Sequence, residues 1–375
     1  MQTDTANPRD PTGTPAKASA PPSALRAPAA PPRAPLADAG VPAVPPRVSP
    51  ARPRTATDAP VPAAPPRVSP ARPRTPTAPP RVRATTAAAL RRVLPARLLV
   101  RRAEARAASA WETSPAERER ALTVMKAIVG GTPRAGELDE LARQYLIDRA
   151  AHRELFWQRW KMPSMDSRST EHVQAALSSG RGVLASSCHL GPFFLQFWPL
   201  TEMRSGYGVF GPWFFEEPSP DHWGRRLAHW RKELERRDER RLSSQGVFAT
   251  LRGLLEQGEL AIIYFDMPGS RRTQFLGKPV TLATGTARLA IAADALVLPL
   301  RARRDGHHVR TDVQALLDPR EFSGYEQLHD ALAGVHERSI LERPGALEDP
   351  NRRGAWEGGA SAREWARPEL IHGRP

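Results

Sequence analysis

Proline placement constrains this chain more than any other feature of its sequence. More than half of its 40 prolines precede residue 86, in a stretch of Ala, Pro, Arg and Thr almost free of aromatic residues. Such a stretch buries too little apolar surface to offset its ordering entropy. It also repeats: Val41 to Thr55 recurs almost unchanged from Val61 to Thr75, and a partial copy follows at Ala78 to Ala84. A solenoid repeat carries periodic apolar residues that stack, whereas this one carries proline and arginine. The expectation is a disordered, polyproline-rich tail over 1–85, leaving the rest of the chain to supply the core.

The net charge of +15 divides along the same boundary. The tail holds twelve basic side chains against four aspartates, about half of the total excess. The remainder is only moderately basic and has no zinc-finger, homeodomain or RNP-type motif, so nucleic acid is an unlikely partner. A tail drawn to acidic lipid or phosphate accounts for the charge. Cys188 is the single cysteine, which excludes a disulfide framework and a cysteine-based zinc site. No run approaches 18 consecutive apolar residues, and the N-terminus lacks a signal-peptide core. The expectation is a peripheral protein on the cytoplasmic face of the cell membrane.

From Thr86 to Ala110, leucines interleave with arginines around Pro95, which should break or kink a helix. This helix is either interfacial, with leucines among lipid tails and arginines at headgroups, or packed on the domain. Helices are expected at Pro115 to Val129, Ala135 to Trp160 and Ser169 to Ser178. Beyond these, strands at Gly182 to Ala185, Tyr207 to Phe210, Leu260 to Phe265, Lys278 to Leu282, Leu296 to Arg301 and His308 to Val313 alternate with further helices. Those helices are His222 to Arg240, Val247 to Gln257, Gly285 to Ala293 and Tyr325 to Leu341. Alternation at this spacing implies an α/β fold: a mainly parallel central sheet flanked by helices, with a helical N-terminal subregion. The domain is expected over 86–345, with a poorly ordered C-terminal tail over 346–375.

The strand before Ser186-Ser187-Cys188-His189-Leu190-Gly191-Pro192 delivers an imidazole to a glycine turn. Open α/β sheets bind ligands outside the carboxyl ends of their strands, and a histidine there is aimed at the ligand. Downstream, Gly258 to Asp266 reads as a strand ending in an acid. Phe275-Leu276-Gly277-Lys278-Pro279-Val280, the glycine-led Gly285 to Ala290 and Leu296 to Leu300 follow it. This order resembles the lysophospholipid acyltransferase superfamily, and within it most the lauroyl/myristoyl acyltransferases of lipid A biosynthesis. The resemblance covers about Ala121 to Glu348.

The resemblance implies an acyltransferase (transferring groups other than aminoacyl groups) that moves a fatty acyl group from an acyl carrier protein or coenzyme A thioester to a lipid or glycolipid acceptor. No bound cofactor is implied. In that family a histidine, oriented by an acid that follows it closely, is the general base. Here the histidine position is His189 and the acid position is Phe194, which accepts no hydrogen bond. Three alternatives stand: an acid from elsewhere substitutes, Asp266 first and Glu202, Glu216 and Glu217 behind it; His189 works alone, held by a backbone carbonyl; or the chain is a catalytically impaired lipid-binding or scaffolding protein.

Other candidates carry less. Gly191 and Phe194 flank the histidine as substrate-binding positions, and Arg271, Arg272, Lys278 and Arg288 could hold carrier or headgroup phosphates. The aromatic groups Phe193, Phe194, Phe197, Trp198 and Phe210, Trp213, Phe214, Phe215 read as core, or else as a groove for an acyl chain. His222 and His229 lack a third ligand, so no metal is expected. Cys188 points to the opposite face from His189 and reads as a structural thiol.

Overall fold

The structure, a computed structural model, describes residues 91, 93–158, 162–219, 221–237 and 239–350. The expectations for the tail over 1–85, for residues 86–90 of the first helix and for the chain after 350 lie outside the described residues.

A six-stranded sheet organises the domain, in the order β3-β2-β4-β1-β7-β8. Its strands are β1 (Val183–Ser187), β2 (Gly206–Phe210), β3 (Arg240–Ser243), β4 (Leu260–Tyr264), β7 (Leu296–Asp305) and β8 (His308–Val313). All neighbours are parallel except β7 and β8, which form a hairpin closed at Gly306. The three central strands read Val-Leu-Ala, Leu-Ala-Ile and Leu-Val-Leu without a polar break, as parallel strands covered on both faces must.

Alternation divides these side chains between two cores. Leu184, Ala261 and Val297 point to one face, where they meet α2 (Pro115–Val129), α7 (Phe248–Glu256), α8 (Gly285–Ala293) and α9 (Tyr325–Glu342). Val183, Ala185, Leu260, Ile262, Leu296 and Leu298 point to the other, with Val173, Ala176 and Leu177 of α4 (Ser167–Ser178). Each fully buried aliphatic side chain contributes about 1.5–3 kcal/mol. α5 (Trp198–Met203) follows the histidine turn, and α6 (His222–Glu235) leads to the β3 edge.

The N-terminal subregion is helical, as its periodicity requires. α1 (Ala96–Thr113) starts directly after Pro95, and Leu99, Val100 and Ala103 pack it on α3 (Leu138–Trp157). The apolar side of α1 therefore faces protein, leaving Leu98 as its exposed large apolar residue, with Val93 exposed just ahead of Pro95. Among the described residues no helix is long and apolar enough to cross a membrane.

Two elements depart from the sequence reading. The helix expected to reach Arg240 stops at Glu235, and Arg240–Ser243 pairs with β2 as an edge strand. The open edge of β2 gives that backbone ladder partners that a longer helix would forgo. The polar stretch Pro268–Phe275 forms β5, antiparallel to β6 (Lys278–Leu282), although its composition signals no strand. Leu276 and Gly277 turn this hairpin with positive φ values of 53° and 72°, the conformation that suits the twist of a two-residue connection. Leu276 is fully buried, and that burial offsets the cost of about 1–2 kcal/mol for its left-handed backbone.

The expected domain end at 345 also shifts. Ala346, Leu347 and Asp349 are buried, and Leu347 forms a β-bridge with Leu190. Residues 346–350 thus belong to the domain, because their backbone pairs with the histidine turn.

A buried charge cluster ties the helical subregion to the sheet. Asp148 on α3 accepts from Arg304 at 2.8 Å and from Arg343 at 2.7 and 3.0 Å. Burial pushes its carboxyl up, but His152, Arg343 and Arg304 together hold it below the ordinary 3.8. Its contribution is full above that value and is lost as pH falls through the lowered one. Asp148→Asn leaves two arginines without their shared acceptor and should cost about 3–5 kcal/mol in urea unfolding near neutral pH.

Candidate active site

Strand register builds the site. β1 and β4 pair in parallel with Ser187 opposite Tyr264, and Phe265 donates its N–H to the Ser187 carbonyl at 2.7 Å. Two residues further on, the chains leave the sheet side by side as His189 and Asp266. The His189 Nδ1–H donates to Asp266 Oδ1 at 2.8 Å, and the His189 backbone N–H donates to Oδ2 at 3.1 Å. One buried carboxylate therefore holds both the ring and the backbone of the same residue. Of the acids considered, Asp266 is the one the fold brings to His189.

This geometry fixes the tautomer. With Nδ1–H directed at a carboxylate, the neutral imidazole keeps its Nε2 lone pair. Nε2 has no hydrogen-bond partner among the described residues, and the His189 side chain is 14% exposed while that of Asp266 is 0%. The Tyr264 ring stacks on the imidazole at 4.1 Å and 20°, and Phe193 meets it edge-on at 4.8 Å. Burial keeps the Tyr264 phenol well above its ordinary value, so it stays protonated across the working pH range.

The turn itself is held from the C-terminal side. Glu348 donates its N–H to the His189 carbonyl at 2.9 Å, and Gly191 donates its own to the Ala346 carbonyl at 2.9 Å. Gly191 has φ +68°, and a Cβ there would lie 2.4 Å from the Ala302 carbonyl oxygen. Its place is therefore structural: the N–H that could have met a substrate is already bonded, and only glycine fits.

Phe194, expected at the substrate, is instead 6% exposed and packed edge-on against Phe156 at 4.9 Å, among Val100, Leu155 and Trp198. The acid position of the histidine motif is turned into the core beneath the helical subregion, where a carboxylate would lack solvation. Trp198, Phe210 and Phe214 are core residues too. The space left among Phe194, Phe197, Trp198, Phe210, Trp230 and Tyr264 is about 20 Å³, room for roughly one water.

The basic residues do not converge on His189. Arg271 pairs with Asp330 on α9 at 3.0 Å, and Arg288 lies over the Phe248 and Tyr325 rings. Arg272 is exposed on β5. Lys278 opens β6 at the hairpin tip, an entire strand away from Asp266. Of the other acids, Glu202 pairs with Arg237 at 3.2 Å, and Glu216 and Glu217 are exposed. His229 donates to the Phe156 carbonyl at 3.0 Å. Cys188 is buried in the core beneath α2 and α9.

Several neighbours escape sequence reading. Ser186 Oγ lies 3.1 Å from His336 Nε2, and burial holds that imidazole down at about 4, neutral near pH 7 despite the nearby Asp266 charge. Tyr264 was within reach of pattern reasoning, since Tyr264-x-Asp266 repeats the two-residue period of a strand. The contact of Ala346 to Glu348 had no local signal.

An open cleft of about 470 Å³ lies at the β3 edge, lined by Phe215, Arg231, Glu235, Glu239, Arg240 and Arg241. Glu239 also borders the aromatic cluster behind Tyr264.

No family model matches this sequence, and no curated protein matches it. Among solved structures, it is similar to the crystal structure of the 1-acyl-sn-glycerophosphate (LPA) acyltransferase PlsC from Thermotoga maritima. The two are 14% identical with a TM-score of 0.31, over 66% of this chain and 96% of that one.

Burial raises Glu239 from 4.5 to about 7, against the pull of Arg241 and Arg237. The folded state thus binds this proton more tightly than the unfolded state, and stability should fall as pH rises from about 4.5 to 7. Glu239→Gln should flatten that slope in thermal unfolding scans. Gly191→Ala, with both a strained backbone and a clash, should lower the melting temperature and increase hydrogen exchange at residues 189–191 and 346–348.

Proposed function

We propose that this chain is an acyltransferase that moves a fatty acyl group from a thioester of acyl carrier protein or coenzyme A to a hydroxyl or amine on a lipid or glycolipid, with His189 as general base. The observation that carries the reading is the 2.8 Å bond from His189 Nδ1 to Asp266 Oδ1 at the carboxyl ends of two adjacent parallel strands. The order of motifs from Glu259 to Leu300, similar to that of the lipid A acyltransferases, supports acyl transfer over other base-catalysed chemistry.

In the reaction, His189 Nε2 takes the proton from the acceptor hydroxyl or amine. The freed lone pair forms the new bond to the thioester carbonyl carbon, and the carbon–sulfur bond breaks as the tetrahedral intermediate collapses. The imidazolium then returns its proton to the departing thiolate. Asp266 keeps the ring in the productive tautomer and stabilises the imidazolium, accepting no proton itself. The additional bond from the His189 N–H to the same carboxylate prevents the turn from drifting away from it.

The alternative, a catalytically impaired lipid-binding or scaffolding protein, drew its force from Phe194 in place of an acid. With Asp266 against the imidazole, that substitution no longer separates the two readings. Attachment to the cytoplasmic membrane face belongs to the same proposal, with a lipid acceptor and the basic sequence before residue 86 as its grounds.

Purified protein incubated with acyl thioesters and lipid acceptors, followed by intact-lipid mass spectrometry, tests the reading. His189→Ala and Asp266→Asn should each lower the rate by about 10²–10⁴-fold while leaving the melting temperature within a few degrees. An unchanged rate in His189→Ala would exclude the base. Phe194→Glu should unfold the domain in preference to raising activity, because it places an unpaired carboxylate among Phe156, Leu155 and Trp198.

A further inference from the structure

Asp266 constrains the His189 ring only along one edge, and a hydrogen bond at Nδ1 leaves rotation about that bond open. The faces and the remaining edges need another constraint. Tyr264 covers one face at 4.1 Å with its ring 20° from parallel, the tightest ring contact His189 makes. The Tyr264 ring is itself fixed: its hydroxyl donates to the Phe193 carbonyl at 3.3 Å, and Phe193 and Phe197 meet it edge-on at 5.8 and 5.5 Å. Phe193 in turn meets the imidazole edge-on at 4.8 Å. The three rings form a closed triangle in which Tyr264 touches both others.

We propose that Tyr264 is a positioning residue for His189, holding the imidazole in the plane from which Nε2 acts and stabilising the imidazolium through its ring face. The inference builds on the proposed role of His189 as base. Strand geometry explains why the position is available: Tyr264 is the last paired residue of β4, two before Asp266, so one strand end supplies both the carboxylate and the stacking ring. A tyrosine face attracts a cation, and the imidazole is one once it has taken the acceptor proton. The stack therefore favours the reacting state over the resting one, as a positioning group must if it is to raise kcat. The ring face carries this role, and the hydroxyl bond to Phe193 helps to hold that face in place.

The test uses the full-length chain labelled with ¹⁵N-histidine, with the His189 ring signals assigned by their loss in His189→Ala. Wild type should show one tautomer, Nδ1 protonated and Nε2 not. Tyr264→Phe, which keeps the ring and loses only the hydroxyl bond, should keep that pattern and lower the rate less than Tyr264→Leu. Tyr264→Leu, at a half-buried position, should broaden or average the ring signals. It should also lower kcat by about 3- to 10-fold with KM unchanged, the scale of one aromatic contact. An unchanged His189 spectrum in Tyr264→Leu overturns the proposal, as does a Tyr264→Phe variant that behaves like Tyr264→Leu, since the hydroxyl bond would then be responsible. The spectrum reads ring orientation whether or not acyl transfer is detected, so a failure of the acyltransferase reading and a failure of the clamp are distinguishable.

Discussion

The parallel pairing of β1 with β4 is the constraint on which the site depends. Five residue pairs in register set the heights at which the two chains leave the sheet; β1 is buried along its length and β4 from Leu260 to Ile262. A shift of one residue would exchange the two apolar faces of a strand, so the cores above and below the sheet oppose any slip. The same packing energy that stabilises the domain thus fixes the meeting of His189 and Asp266. The geometry of this pair is inherited from core packing.

Around that pair, the protein uses local backbone devices to hold a turn that has little helix or sheet of its own. Gly191 supplies the left-handed conformation, and the N–H groups of Gly191 and Glu348 bond across the gap between the turn and residues 346–348. These bonds satisfy groups that would otherwise be buried without partners. The histidine is therefore supported from its backbone by Glu348 and Asp266, and from its ring edge and ring face by Asp266 and Tyr264 at the end of β4. Such redundancy limits motion to a scale compatible with general base catalysis.

Much of this organisation was legible beforehand. The helices Pro115–Val129 and Gly285–Ala293 and the strand His308–Val313 fall where periodicity and punctuation put them. The apolar runs at Val183, Leu260 and Leu296 announced buried parallel strands, and Asp266 stood at the end of one of them. What misled was position along the chain. Phe194 occupies the acid position of the resembled motif, yet it packs in an aromatic layer with the neighbouring Trp198 and with Phe156, which belongs to the distant α3. The β3 edge and the β5 strand were missed for a related reason: their sequences are polar, and only pairing with β2 and β6 makes them extended.

By itself the sequence determined the alternating strands and helices, the histidine turn and the presence of an acid at a neighbouring strand end. Hydrophobic period and turn chemistry are local properties, carried by residues a few positions apart. Tertiary structure alone decided that Asp266 meets His189, that Tyr264 covers the imidazole, and that residues 346–348 close the turn. Each of these joins segments 75 or more residues apart through sheet register and packing, and no local pattern encodes a distance of that kind.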